Sequence, residues 1–264
     1  MTNIYPALSY YHEANRYDVV FAEEPLLGKK RHIENVMRLG VSIANAQNLS
    51  LDNFLLLACL EHHDDGRADQ YRLLGKFWDT EVSHNVLGID RLDKFLQHNN
   101  LKVDKGIEIL RQVMLYHGRV HLLANVSGET KAYVELVTAA DDFENACSCV
   151  SYLVKEVEND EKGYLKNNPN ADQLTVSDYV FFHFKSGEKF DKMVWCHTYA
   201  EYVLFAATLA TNCIKKYGDI AKVALSQPGY GYSSILDGYH DVFEKTLSPK
   251  MVEDAYNIIS SMVE

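Results

Sequence analysis

Apolar residues recur along this chain at spacings of three and four, and little stands ready to interrupt them: 5 Pro and 14 Gly among 264 residues. That spacing gathers apolar side chains on one face of a helix, so an all-α chain is expected. His32, Val36, Leu39 and Ile43 follow it at i, i+4, i+7 and i+11. Leu56, Cys59, Leu60 and His63 share a second face behind an N-cap at Ser50 or Asp52. A third face, from about Asp79, carries His84, Leu87, Gly88, Leu92 and Phe95. A fourth, from about Asp104, carries Leu110, Val113, Met114 and His117. A fifth, from about Lys131, aligns Val134, Val137 and Asp141 at i, i+3 and i+7. Beyond it come a helical or mixed piece over residues 176–184, a long apolar helix from about Glu188 to Tyr217 and a terminal helix from about Ser248.

The expected architecture is therefore a helical bundle of eight or nine helices, without alternating strands or repeats. Residues 1–30 are expected to be irregular, and the second helix to end near Gly66. Residues 1–160 would form the core with an N-terminal arm. Residues 161–264 would supply helices packed on that core as a cap, all within one compact domain.

Composition narrows the function. With 47% hydrophobic and 24% charged residues, the chain is ordinary globular material. Its formal charge of -11, from 26 Lys+Arg against 37 Asp+Glu, repels polyanions and argues against a nucleic-acid partner. No apolar run reaches the roughly 18 residues of a membrane span, and the first residues have no secretory pattern, so a cytoplasmic protein is expected. Five cysteines in apolar or helical stretches suit buried thiols in a reducing compartment.

Among 11 histidines, several stand at the ends of these apolar faces. In chain order the metal-capable residues are His32, His63 with Asp64, His84, His117 and Asp141. One inward histidine is commonly a core residue with a hydrogen-bond partner. Five successive faces, each carrying an imidazole or a carboxylate, suit Fe, Mn, Zn or Ni instead, and a shared carboxylate can bridge two ions. Helical register favours Asp141 over Asp142. His63 shares its register with Leu56 and Leu60, whereas His62 packs or faces solvent.

At these residues the chain resembles the HD-domain superfamily: His32 in KKRHIENV, His63-Asp64 in LEHHDDGR, and Asp141 in TAADDFENA. His84 in VSHNVLG and His117 in LYHGRV stand where binuclear members carry two further histidines. The resemblance spans roughly residues 29 to 150. It implies one ion on His32, His63, Asp64 and Asp141, and a second on Asp64, His84 and His117, with Asp64 shared. The implied cofactor is two divalent metal ions from Fe, Mn, Ni, Zn or Mg, with Fe or Mn favoured. His63-Asp64-Asp65-Gly66-Arg67 is similar to the His-Asp-x-Gly-Lys form of phosphohydrolase members. Arg67 would then meet substrate oxygens, unless it is a surface arginine paired with Asp65 or Asp69. The histidine pair and Gly-Tyr-Pro stretch of cyclic-di-GMP-specific members are absent after His117.

The implied function is a metal-dependent phosphohydrolase. It would act on a small phosphorylated molecule, a nucleotide or phosphomonoester, with Asp64 and Arg67 as catalytic residues and Arg67, His121 and Lys185 as substrate contacts. On a continued helix His121 could instead grip a metal four residues after His117, although Gly118 and the loop-like ANVSGET favour a surface position or one behind the ligands, and Lys185 fits a lysine snorkelling from an amphipathic core helix. Two rivals remain: a mixed-valent di-iron oxygenase of HD type, and a degenerate HD module used for signalling or as a scaffold. No nucleic acid and no membrane is expected as partner, and a homodimer is compatible with the chain.

Overall fold

The computed structural model describes residues 4–77, 79, 81–118, 126, 128–158, 169–188, 190, 192–219, 221–222 and 234–263. Among these the fold is all-α. The chain forms two compact units, Met1–Asp141 and Asp142–Glu264, and the division falls inside one long helix.

In the first unit, α1 (Pro6–Ala14) and α2 (Tyr17–Val20) precede a 3-10 turn at Glu24–Leu26. Then follow α3 (Leu27–Ala46), α4 (Asn53–His62), α5 (Gly66–Leu74), α6 (His84–His98), α7 (Lys105–Tyr116) and the start of α8 (Gly128–Glu158). α4 packs against α3 and α7, α6 packs against α5 and α7, and α1 lies against α4, α6 and α7. Leu55, Leu56 and Leu60 of α4, Ile107, Leu110 and Val113 of α7, and Ile33 and Val36 of α3 are buried. Each such aliphatic side chain contributes about 1.5–3 kcal/mol when withdrawn from water.

Local chemistry sets the helix starts. The Asp52 carboxylate accepts the Leu55 amide, which caps α4, and the Asp104 carboxylate caps α7 through the Ile107 amide. The second oxygen of Asp104 also accepts the Ala7 amide at 2.8 Å, tying α1 to the beginning of α7.

Three expectations are corrected here. The described part of the N-terminal stretch, residues 4–30, is largely helical, because Leu8, Tyr11, Val20 and Phe21 supply buried anchors. Gly66 begins α5, a helix that the apolar spacing does not predict, instead of ending α4. The stretch expected as one helix over 188–217 divides into α10 (Lys192–Trp195) and α11 (Tyr199–Tyr217). The break sits at Thr198, where a reciprocal cap with Glu201 satisfies the first free amides of α11.

The second unit contains the remainder of α8, then α9 (Asp178–Ser186), α10, α11, α12 (Ile235–Thr246) and α13 (Pro249–Val263). α11 packs against α9, α12 and α13. Its buried face is rich in small residues, Ala200, Ala206, Ala207 and Ala210, opposite the large Phe184, Tyr239 and Phe243. No described helix is long and apolar enough to cross a membrane.

Candidate metal centre

Four helices and one helix end deliver the cluster, all within the first unit. α3 supplies His32, the end of α4 supplies His63 and Asp64, α6 begins with His84, His117 directly follows α7, and α8 supplies Asp141. The four histidines and Asp64 are each no more than 7% exposed.

Asp64 stands at the middle, with its two oxygens facing different neighbours. Oδ2 lies 3.7 Å from His32 Nε2 and 3.9 Å from His63 Nε2. Asp141 Oδ1 closes that side, 3.2 Å from His32 Nε2 and 3.9 Å from His63 Nε2. Oδ1 of Asp64 turns the other way, 3.4 Å from His84 Nε2 and 3.5 Å from His117 Nε2. Two groups of potential ligand atoms result, His32–His63–Asp64 and Asp64–His84–His117, and one carboxylate belongs to both.

Outward hydrogen bonds orient three of the rings. His63 Nδ1 donates to the Leu60 carbonyl at 2.8 Å, and His117 Nδ1 to the Val113 carbonyl at 3.0 Å. His84 Nδ1 donates to the Asp79 carboxylate at 2.8 and 2.9 Å. Carbonyls and carboxylates only accept, so the proton sits on Nδ1 and each Nε2 presents a lone pair inward. His84 Nε2 and His117 Nε2 therefore face each other at 3.2 Å with Asp64 Oδ1 beside them. Three electron-rich atoms this close call for a cation between them. His63 Nε2 is buried without a hydrogen-bond partner, which is costly unless something positive meets it.

Electrostatics keep the donors in ligating form. Burial lowers His63 to about 4, against the pull of Asp64 and Asp141. Burial, helped by the Arg67 charge, likewise lowers His84 to about 4. For Asp64 burial works upward, but the Lys29 ammonium and other nearby cationic groups outweigh it and hold the carboxyl well below the usual range. Asp141 is also held low, its contact with His32 prevailing over burial. Neutral His63 and His84, ionised Asp64 and Asp141, and the outward second contacts thus fit a pair of divalent cations.

Among the described residues, two cations border the cluster. Lys29 Nζ lies 2.8 Å from Asp64 Oδ2, and Arg67 Nε 3.6 Å from Asp64 Oδ1. Arg67 pairs with Asp64 and Asp79, not with Asp65 or Asp69. Its Nη1 also donates to the Phe77 carbonyl at 2.6 Å and to Gln70 Oε1 at 2.9 Å, fixing the guanidinium plane. Of the remaining sequence candidates, Lys185 lies on α9 in the other unit, its ammonium 4.8 Å from the centre of the Phe181 ring. His121 lies outside the described residues.

Sequence reasoning missed Lys29 and Asp79. Lys29 stands three residues before His32 on one helix, a spacing that puts both on one face. Asp79 sits in the turn ahead of α6, where no periodicity marks it. Gly66 also has a positional reason: a Cβ there would meet the His84 carbonyl oxygen at 1.9 Å and the Gly88 amide nitrogen at 2.5 Å. Only glycine lets α5 pass this close to the start of α6.

Comparison with protein-family models, curated proteins and solved structures returns no match. The helical architecture and the buried His/Asp groups, able to hold metal, are compatible with an HD-type domain. Any account of function rests on these side chains.

Proposed function

We propose that this chain is a metal-dependent phosphohydrolase of HD type, acting on a small phosphorylated molecule such as a nucleotide or a phosphomonoester. The observation that carries this reading is the division of Asp64, whose two oxygens serve two histidine-lined groups while Lys29 and Arg67 flank the same carboxylate. His32, His63, Asp64 and Asp141 would hold one divalent ion, and Asp64, His84 and His117 another. When bound, such ions supply positive charge that makes a nearby water more acidic and offsets charge on phosphoryl oxygens.

The chain's own residues supply the rest. Asp79 and the Leu60 and Val113 carbonyls hold three imidazoles in one tautomer, so ligation costs little reorganisation. Among the described residues, Lys29 and Arg67 are the cations nearest the cluster, with side chains 22% and 17% exposed. They sit where an anionic substrate arriving from solvent would meet positive charge, and their neutralising effect grows as charge develops on the phosphoryl group. The overall charge of -11 favours a small anion over a polyanion at such a site.

The test is turnover. Protein loaded with Mn, Fe, Ni or Mg is offered nucleoside mono- and triphosphates, cyclic dinucleotides and an aryl phosphate. Release of phosphate or of a nucleotide, abolished in Asp64→Asn, is expected. Two bound metals with no hydrolysis of any of these would overturn the reading, and oxygen uptake by the iron-loaded protein would replace it with an oxygenase.

A further inference from the structure

Glu61 and His62 lie directly before His63, yet neither belongs to the cluster above. His62 turns toward α1, where its ring meets Tyr11 and His12 edge-on at centroid distances of 5.0 and 5.3 Å. His12 Nδ1 lies 3.1 Å from His62 Nε2 and 3.4 Å from Glu61 Oε2. Potential ligand atoms of all three residues fall within 4.8 Å of one another.

The surroundings of this trio are those of a ligand set. His62 Nδ1 donates to Asp65 Oδ2 at 3.0 Å, and the Tyr11 hydroxyl donates to the same oxygen at 2.6 Å. Asp65 thus fixes the orientation of the His62 ring and directs its Nε2 at His12. Glu61 Oε1 accepts the Tyr17 amide at 2.9 Å, which leaves Oε2 for the trio. Glu61 is 3% exposed and His62 fully buried, and among the described residues no Lys or Arg nitrogen lies within 4 Å of Glu61. One proton on His12 Nδ1 satisfies a single acceptor well, whereas a cation satisfies all three donors. Ligand nitrogens about 2.0–2.1 Å from a tetrahedral zinc stand roughly 3.3–3.4 Å apart, close to the separations seen here.

We propose that His12, Glu61 and His62 form a separate mononuclear site for a borderline divalent cation of the zinc class, joining α1 to α4. Three protein ligands leave a fourth position, and the His12 side chain, 24% exposed, puts that position on the solvent side. The site shares no ligand with the Asp64 cluster, so it stands or falls independently of the hydrolase reading.

The experiment is metal stoichiometry at buffered free zinc on the full-length chain, with cobalt as a spectroscopic substitute. His12→Ala is expected to bind one equivalent fewer than the wild type and to lose one cobalt band while the other equivalents persist. Glu61→Gln, which keeps volume and the bond from Tyr17, should weaken the same equivalent by at least tenfold. Zinc-edge anomalous density between His12 and His62 should accompany these losses and needs no variant to fold. Wild-type stoichiometry in His12→Ala, or no anomalous peak at the trio in zinc-soaked crystals, would overturn the proposal.

Discussion

Asp79 shows how a residue outside the cluster governs it. Its carboxylate accepts both the backbone amide and Nδ1 of His84, and the His84 bond holds the carboxyl below its usual range although burial opposes this. Asp79→Asn should therefore lower metal affinity and activity by about 10–100-fold, the usual cost of losing a group that orients a ligating imidazole. Isothermal titration with Mn, beside a melting curve, separates this from simple unfolding: the melting temperature of the metal-free protein should barely move, since Asp79 is 40% exposed. At this scale the sequence announces residues that share an apolar face. His32, His63, His84, His117 and Asp141 each continue a run of buried aliphatics, and register singles out Asp141, whose Oδ1 lies against His32. Lys29 shares the His32 face of α3 by its spacing but shows its partner, Asp64, only in the fold, and Asp79 sits in a turn that no periodicity marks. His12 with Glu13 lacks the second histidine of a zincin helix, and its neighbour His62 comes from a helix fifty residues on, which local spacing does not show.

Helices were legible where they carry an apolar stripe. α5 has none: of its nine residues, the buried ones are Gly66, Ala68 and Gln70, so no periodicity points to it. Its place is set instead by the close approach of Gly66 to His84 and Gly88. Gly66→Ala forces backbone apart at that crossing and is expected to destabilise the protein by about 3 kcal/mol, measurable by urea unfolding, and to weaken metal binding through His84. α11 carries a second test, of pH dependence. Glu201 accepts the amides of Ser177, His197 and Thr198, and these bonds, opposing burial, depress its pKa. A depressed folded-state value stabilises the fold above the unfolded-state pKa, near 4.5, and the gain is lost as pH falls through the folded value. Glu201→Gln should thus cost about 1 kcal/mol at neutral pH, and chemical denaturation should find the difference from wild type shrinking below pH 4.5.

Over the molecule as a whole, the candidate ligands all belong to the unit Met1–Asp141. Ligand that binds only the folded state stabilises it by about 2.7 kcal/mol at a hundredfold excess over Kd. Chelation should therefore speed hydrogen exchange in α3, α4, α6 and α7 and leave α9, α11, α12 and α13 unchanged, as mass spectrometry can resolve. Uniform exchange across both sets with and without chelator would count against metal at the cluster. The end of α4 carries a further consequence. From Glu61 to Asp65, consecutive side chains alternate between two destinations: 61, 62 and 65 toward α1, 63 and 64 toward the paired histidines. Inserting or deleting one residue here would exchange His62 for His63 and misdirect both sets together. This pentapeptide works like the ward of a key, with its reading frame along the helix as the coded quantity; conservative side-chain changes within it should be survivable where a one-residue slip is not.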